Sequence, residues 1–448
     1  MLTPSHLPHQ TNFFDANLWE FLDQHDPLVR LANVLPWADM EHALQQYYTL
    51  NNGRPALPIR LMSGLLILKQ LENLSDEAVV LQYKRNPYYQ YFCGATSFQN
   101  KLPCDASELT RFRQRIGKEG TEVIFSVSVS LHGKAVEESR VHIDSTVQEK
   151  NITYPTDGKL AIKIINRLNK LAKHHGIKQR RTFVKELKEQ RLKLRFFRHV
   201  KKRKSAKKAV KRLRTIAGIL LRELQRKLSQ EALAFYQEDF ALYERVLTQE
   251  KYGKDKIYSL HEPQVYCVAK GKDHKPYEYG TKASIVSTAE SGIILSVESH
   301  PANVHDSRTL ESVLASAHQH RSKPILQAVC DRGYRGVKEV DGVEIVLPKA
   351  GLKRDSRYQR NKKRQVCCRR AAIEPLIGHL KQHYRLSRNY LKGQVGDEIN
   401  LLMSACAWNL KKWINDYLAR LFCAQKRLKI SCFIAPIRLL GLLRLLCR

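Results

Sequence analysis

The stretch SRVHIDSTVQEKN, residues 139–151, alternates like a β-strand and carries an aspartate near its centre. Asp144 falls on one face of this strand with His142, while Val141 and Ile143 fall on the other face. An aspartate among apolar strand residues is costly to bury without a partner. The stretch therefore predicts a sheet protein in which one strand holds a functional acid.

Further strand and helix patterns follow along the chain. Strand patterns occur in QVYCVAK (264–270), YEYGTKASIVST (277–288), GIILSVESH (292–300), KPILQAVCDRGY (323–334) and VEIVLPK (343–349). Helical patterns cover 306–320, with Asp306 as its N-cap, and 369–386 and 397–422. Strands interleaved with helices in this order predict an α/β fold, a mixed sheet with helices packed on it.

The N-terminal part, residues 1–135, is predicted to be a helical domain. Helices are expected over 59–72 and 75–85, with a turn of only two residues between them, and a third helix begins near Ser107. This third helix brings Arg111, Arg113 and Arg115 close together in sequence, which makes them candidate DNA contacts. Two readings stay open here, a helix-turn-helix that reads DNA and an ordinary helical bundle.

The positive charge of the chain is concentrated in two blocks. The whole chain has 77 Lys and Arg against 43 Asp and Glu, a net charge of +34. Residues 159–230 contain 26 basic and 3 acidic residues, and residues 349–448 contain 23 and 5. Such surfaces on a folded protein favour nucleic acid as the partner, although solvated helix faces are the simpler alternative.

The first basic block lies in a segment without proline, residues 157–250, which predicts a long helical insertion, most simply a helical hairpin. Its densest part supplies four candidate phosphate contacts, Lys201, Lys202, Arg203 and Lys204. Phosphate contacts of this kind hold DNA without reading its sequence.

Three classes of protein are disfavoured by the sequence. The ten cysteines include no C-x-x-C pair, which argues against a zinc ribbon. No uncharged apolar run reaches the length of a membrane span, and the N-terminus has no signal-peptide pattern. We therefore expect a cytoplasmic protein without a membrane partner, associated with the nucleoid through its basic surfaces.

Two further acids join Asp144 as candidates for chemistry. Asp331 ends an apolar strand and Glu374 lies on a predicted helix. Carboxylate oxygens are hard ligands that suit Mg²⁺, and two such ions can support cleavage of a phosphodiester. The simpler alternative is that these acids are caps and salt bridges.

Three blocks, IDSTVQEKN, CDRGYRG and RRAAIEPLIGHLK, together resemble the signature blocks of bacterial insertion-sequence DDE transposases, with the insertion sequence five family as the nearest pattern. The resemblance covers roughly residues 40–420. The acids stand in order, with 186 and 42 residues between them. In the last block Arg370, Glu374 and Lys381 match the family spacing, whereas Cys367 stands where the family has tyrosine.

The resemblance implies an RNase H-like catalytic core over residues 136–422 that carries the helical insertion, followed by a C-terminal tail, 423–448. It implies that Asp144, Asp331 and Glu374 hold two Mg²⁺ ions, with Mn²⁺ as a substitute. It further implies a DNA substrate, both element ends and target, and a homo-oligomer that pairs two ends. Residues near the core that resemble family features are Lys282, Asn303 and His305, although the last two also fit a cap and turn.

These expectations amount to a transposase that cleaves element ends and joins their 3′-hydroxyls to target DNA. Two rivals stay open. One is a nuclease on the same core that never joins strands, and the other is a DNA-binding repressor without activity. For the tail, which we expect Pro436 to interrupt, a loosely packed extension and a helix docked on a partner subunit are both open.

Overall fold

The computed structural model describes residues 17–49, 55–250, 253, 255–270, 275–349 and 352–446, with side chains as far as residue 423. At its centre lies a mixed β-sheet, and the predicted α/β class is confirmed. The strands are β1 (Arg140–Glu149), β2 (Tyr266–Ala269), β3 (Tyr277–Thr288), β4 (Ile294–His300), β5 (Gln327–Val329), β6 (Glu339–Val340) and β7 (Val343–Val346).

β1 occupies the middle of the sheet. The strand order is β2-β3-β1-β5-β7-β6, and β4 also pairs with β3. β1 runs antiparallel to β3 and parallel to β5, which is in turn parallel to β7. A strand with partners on both edges and apolar neighbours is buried, so the functional acid predicted on β1 lies inside the molecule.

Seven helices precede the sheet in the described residues, as α1 (Leu18–Phe21), α2 (Pro27–Val34), α3 (Trp37–Gln45), α4 (Ile59–Leu71), α5 (Asp76–Arg85), α6 (Pro87–Phe92) and α7 (Ala106–Ser130). The predicted short turn between α4 and α5 is present, and Ser75 caps α5 through Ala78 N. α4 is buried from Met62 to Leu71. Helices α2 to α7 and the sheet share one continuous hydrophobic core, whereas Leu18 of α1 belongs to a small separate cluster.

The basic insertion is a bundle of five helices rather than the hairpin we expected. They are α8 (Asp157–His174), α9 (Val184–Leu194), α10 (Arg203–Lys227), α11 (Gln230–Phe235) and α12 (Gln237–Thr248). Leucine and isoleucine side chains at helical spacing on α8 and α10 pack into a second core, separate from that of the sheet. The hairpin expectation was too simple because the chain turns after residues 194 and 228 and adds shorter helices.

Of the four remaining helices, α13 (Leu310–His318) lies between β4 and β5. The other three follow the last strand and are α14 (Arg357–Arg370), α15 (Ile373–His383) and α16 (Gly393–Leu446). The single helix expected over 369–386 is wrong, because α14 ends at Arg370 and α15 begins at Ile373. Pro375 explains the break. Proline has no N–H for the carbonyl four residues earlier and fits only the first turn of a helix.

The last helix is longer than the predicted 397–422. We expected Pro436 to end any helix begun before it, and that is wrong, because the backbone is helical on both sides of Pro436. A proline removes one hydrogen bond, which a long helix can accommodate by a kink. Residues 447–448 lie outside the described residues. Among the helices that the structure describes, none combines the length and the apolar character needed to cross a bilayer.

Candidate active site

Asp144 and Asp331 are neighbours across the parallel pair β1–β5. His142 pairs with Val329, so each aspartate stands two residues beyond a paired residue. Asp144 is 9% exposed and accepts a hydrogen bond from Ser145 N at 2.8 Å. Asp331 caps a short turn and accepts from Gly333 N at 2.7 Å. The sheet therefore brings together two of the three predicted acids.

Arg370 joins all three predicted acids through one guanidinium group. One of its terminal nitrogens lies 3.0 Å from Asp144 Oδ2 and 4.0 Å from Asp331 Oδ2. The other lies 2.7 Å from Glu374 Oε1. Arg370 ends α14 and Glu374 stands in the first turn of α15, so the break at Pro375 places both beside β1. The third acid is thus held at the site by Arg370.

Burial dominates the electrostatics of Asp144. It raises the pKa of this carboxyl group to about 6, and Arg370 and the Ser145 amide counteract the rise. The charges of Asp331 and Asp306 add to it. At neutral pH the carboxylate form prevails, so the group can act as a ligand for a cation.

Asp306 is a fourth acid near the site, which the sequence reading placed at a helix N-cap. That placement is wrong, because α13 begins only at Leu310 and the short turn before it is capped by His305. Asp306 Oδ1 lies 2.6 Å from Lys282 Nζ. A β-carbon on Gly333 would meet Asp331 Oδ1 at 2.9 Å and Asp306 Oδ2 at 3.0 Å. Because aspartate is a common N-cap residue, the sequence around Asp306 did not indicate that it lies near the active site.

Tyr334 lies beneath these acids and was also missed. Its side chain is fully buried, and its hydroxyl has no hydrogen-bond partner among the described residues. Burial raises its pKa, and the charges of Asp306, Asp144 and Asp331 raise it further. In the sequence, only its position in CDRGYRG, three residues after Asp331, pointed to a place at the site.

The structure places Lys282 inside the protein. It is 7% exposed, and its ammonium group also donates to Val304 O at 2.7 Å. The prediction that Lys282 contacts DNA directly is therefore wrong for this state. A lysine on a half-buried strand looks the same in sequence whether it faces solvent or an acid.

Three other predicted contacts lie around the acids. Asn303 and His305 are exposed, and His305 accepts from Ser307 N at 3.3 Å, which fits the cap-and-turn alternative. Lys381 Nζ lies 3.8 Å from Glu278 Oε1, and burial lowers its pKa. Cys367 is partly exposed on α14, three residues before Arg370.

The three arginines of α7 separate into two kinds. Arg111 and Arg115 are exposed, the first paired with Glu108 and the second stacked 4.6 Å from the Tyr48 ring. Arg113 is 5% exposed and binds Asp76 with both terminal nitrogens, at 2.9 and 2.6 Å. The prediction that Arg113 contacts DNA is wrong, because its charge is neutralised in the core.

The four predicted contacts of the insertion lie at its tip. Lys201, Lys202, Arg203 and Lys204 are all exposed where α10 begins. The Lys202 ammonium lies 4.5 Å from the centre of the Phe196 ring, a cation–π contact. These positions can reach a phosphate backbone, but they lie on a different structural unit from the acids.

The oxygen donors of the site suit a divalent cation, yet they are not arranged around one. Among the residues that the structure describes, no three His, Cys, Asp or Glu side chains converge on a common ion position. Arg370 lies between the acids and supplies the positive charge instead. A metal ion that binds Asp144 and Asp331 must therefore replace this guanidinium group.

Comparison with known proteins shows which families the chain resembles. A model described as "Transposase domain (DUF772)" matches residues 16–115, and one described as "Transposase DDE domain" matches residues 247–410. An uncharacterized protein, ORF8 in the nfe locus of Rhizobium meliloti, is 40% identical over 197 residues, which are 43% of this chain and 95% of that protein. No solved structure matches the chain.

The second matched region contains Asp331, Glu374 and Arg370, and the first contains most of the N-terminal helices. DDE transposases have an RNase H-like core and depend on divalent metal ions, so the expected fold and the expected need for a metal follow from the match. The chain belongs to the insertion-sequence DDE transposases, enzymes that cleave DNA with the help of divalent metal ions.

Proposed function

We propose that the protein binds the terminal inverted repeats of an insertion sequence of the insertion sequence five type, cleaves the strands at the element ends and joins the freed 3′-hydroxyls to target DNA. The observation that carries this proposal is the arrangement of Asp144, Asp331 and Glu374 around Arg370. The three acids come from a central strand, a strand end and a helix. The guanidinium group of Arg370, which a metal ion can displace, holds them together.

We assign Asp144, Asp331 and Glu374 as ligands of two Mg²⁺ ions, with Mn²⁺ as a substitute. When bound, such ions lower the pKa of an attacking water or hydroxyl and stabilise the leaving oxygen. Arg370 then becomes available for the DNA, and a guanidinium group binds phosphate oxygens through two parallel hydrogen bonds. Lys381, on the same helix as Glu374, is assigned to a neighbouring phosphate.

Residues outside the acids are assigned to holding DNA. Arg111 and Arg115 lie on the N-terminal unit, residues 1–135, and Lys201, Lys202, Arg203 and Lys204 lie on the insertion of the core, 136–422. Exposed cations on two separate units can hold a duplex through its phosphates on either side of the scissile bond. Pairing two element ends requires at least a dimer, and we propose that the tail, 423–448, is dispensable for it.

The decisive experiment replaces Asp331 by alanine. We expect Asp331→Ala to abolish cleavage of a repeat-end duplex with Mg²⁺ or Mn²⁺. Binding of that duplex should stay near the wild-type value, because the basic surfaces supply the DNA affinity. Glu339→Gln, which removes an exposed acid on β6, serves as the matched control and should cleave normally. Cleavage by the Ala variant would overturn the assignment.

Strand joining separates the transposase from a nuclease on the same core. A labelled repeat-end oligonucleotide with a free 3′-hydroxyl is incubated with plasmid target and Mg²⁺. We expect covalent transfer of the label to the plasmid, and none with Asp331→Ala. Cleavage of repeat ends without any transfer would identify the protein as a nuclease.

A further inference from the structure

A large groove lies between helices of the insertion, at the edge of the sheet. Its volume is about 1490 Å³, beyond the roughly 300–1,000 Å³ of small-molecule sites. One wall comes from residues 153–163. The opposite wall comes from residues 188–210, which run from α9 into α10. Residues 256–258 and the first residues of β3 form the floor. None of the acids of the active site lines it.

The groove is strongly cationic. Eight Lys and Arg side chains line it, among them Lys159, Lys163, Arg191 and Arg195. In the described part of its lining the single acid is Asp157, which is already neutralised by Arg214 at 2.9 Å and Lys256 at 3.0 Å. Cations that outnumber acids in a concave site attract a polyanion.

Aromatic rings lie among these cations. Phe197, Tyr258, Tyr277 and Tyr279 line the groove, and the side chains of Phe197 and Tyr277 are 46% and 47% exposed. The rings of Tyr258 and Tyr279 lie 5.1 Å apart, tilted by 54°. Exposed rings can stack on nucleobases, but a duplex hides the faces of its bases. Cations and rings in one groove thus favour a strand whose bases are unpaired.

The groove lies beyond the end of the strand that carries the first acid. The part of β1 from Asp144 to its end at Glu149 covers about 17 Å at about 3.3 Å per residue, and the chain then leads into the wall at residues 153–163. We propose that the groove binds an unpaired segment of DNA strand a few nucleotides away from the cleaved phosphate. The identification of the strand as DNA rests on the proposed function, whereas the preference for unpaired bases rests on the groove itself.

The test measures binding without cleavage. Full-length wild type and Phe197→Ala/Tyr277→Ala are titrated with a fluorescent oligodeoxythymidylate and with a fluorescent repeat-end duplex, both in EDTA. Loss of a stacked base weakens binding by about 5- to 150-fold, so we expect at least about fivefold weaker binding of the single strand. Duplex affinity should change less than twofold, since the rings do not contact it.

Matched variants show whether ring stacking is responsible. Tyr277→Phe keeps the ring and should keep the affinity for the single strand. Phe235→Ala removes a ring that is 80% exposed on the same insertion but outside the groove, and it should leave both affinities unchanged. Because the two substituted side chains of the test variant are exposed, its thermal unfolding should match the wild type.

Three results would overturn the proposal. They are unchanged single-strand affinity in the double variant, an equal loss of duplex affinity, and tighter wild-type binding of an oligouridylate of the same length, which would indicate RNA. Cleavage is not read in this assay. A protein that binds the single strand in the groove but never cuts repeat ends would refute the proposed function and leave the groove assignment intact.

Discussion

At the residue scale, Arg370 lies among the three acids that we propose as metal ligands. Its guanidinium group contacts Asp144, Asp331 and Glu374, so the proposed metal ligands form an ion-pair cluster in the structure. Apposed carboxylates without a cation would repel one another. Arg370 opposes this repulsion and lowers the pKa of Asp144, and in the proposed function it lies next to the acids when DNA phosphates are bound.

Removing Arg370 should strengthen metal binding. We expect Arg370→Gln to bind Mn²⁺ at least about tenfold more tightly, since a unit charge at about 4 Å contributes about 4 kcal/mol at an effective dielectric constant of about 20. DNA cleavage should nevertheless fall, because the phosphate contact is lost. Mn²⁺ titration followed by electron paramagnetic resonance measures the affinity. Arg369→Gln, an exposed neighbour, is the control, and an unchanged Mn²⁺ affinity in Arg370→Gln would contradict the prediction.

The raised pKa of Asp144 predicts a pH dependence of metal binding. Below its pKa of about 6 the carboxyl group is protonated, and a cation must displace that proton. Mn²⁺ affinity should therefore rise about fivefold from about pH 5 to 6 and level off above about pH 7. Asp144→Asn should bind weakly with little slope over this range. The same slope in that variant would assign the proton to another group.

Sequence could locate Asp144 and Asp331 but not all their neighbours. Alternation along one strand and the end of another indicated both acids, and the β1–β5 register brings them together. Arg113 and Lys282 looked like surface cations because their acidic partners, Asp76 and Asp306, are 37 and 24 positions away. Only the folded chain shows that these charges are neutralised internally.

At the element scale, the contact between β1 and β3 depends on Gly280. A β-carbon there would lie 1.9 Å from Gln148 O and 2.8 Å from Glu149 Cα, both backbone atoms that cannot turn aside. The alternating strand pattern predicted the observed bounds of β3, 277–288. It could not reveal this close approach, because a glycine in a strand pattern marks a bulge as often as a tight contact.

Gly280→Ala should therefore destabilise the sheet. We expect a loss of at least about 3 kcal/mol in the free energy of unfolding, since overpacking here must separate two paired strands. Gly378→Ala is the matched control, because a β-carbon there meets no atom within 4 Å in the described part of the chain. On the exposed side of α15 it should stabilise by about 1 kcal/mol. Equal urea midpoints for the two variants would refute the close approach.

The helices show where periodicity alone is insufficient. Apolar spacing predicted α4 and α5 within one residue of their ends, since Ser75 supplies a clear cap. The same spacing continued through 369–386 and hid the break that Pro375 imposes. A pattern of apolar residues shows which face of a helix is buried. A break in the helix can depend on one missing backbone N–H, here that of Pro375.

At the scale of the whole molecule, three distant segments meet at Lys150. Its ammonium group lies 2.8 Å from Asp397 Oδ1 on α16 and 3.5 Å from Glu262 Oε2, which follows the insertion. All three side chains are almost fully buried. Burial raises the pKa of Asp397, and Lys150 opposes the rise. The cluster ties the end of β1, the return from the insertion and the last helix to one point.

Lys150→Met should destabilise the entire fold. We expect a loss of about 3–5 kcal/mol, because two buried carboxylates are left without their cation. Lys193→Met, which removes the cation of an exposed pair with Glu189, should change stability by less than about 1 kcal/mol. Thermal unfolding of both variants measures the difference. A loss for Lys150→Met no greater than that of the control would show that the buried cluster does not join the segments.

The separate core of the insertion has a consequence for how the chain folds. β1 pairs with β3 across more than 130 residues, and a loop of that length is slow to close. During synthesis β1 leaves the ribosome long before its partner exists, and its edges can pair with other chains. The helices between the two strands pack mainly against one another, so they can fold first. The loop that must then close is only as long as the distance between the two ends of this bundle. A folded insertion thereby brings β3 close to β1 while the rest of the chain folds.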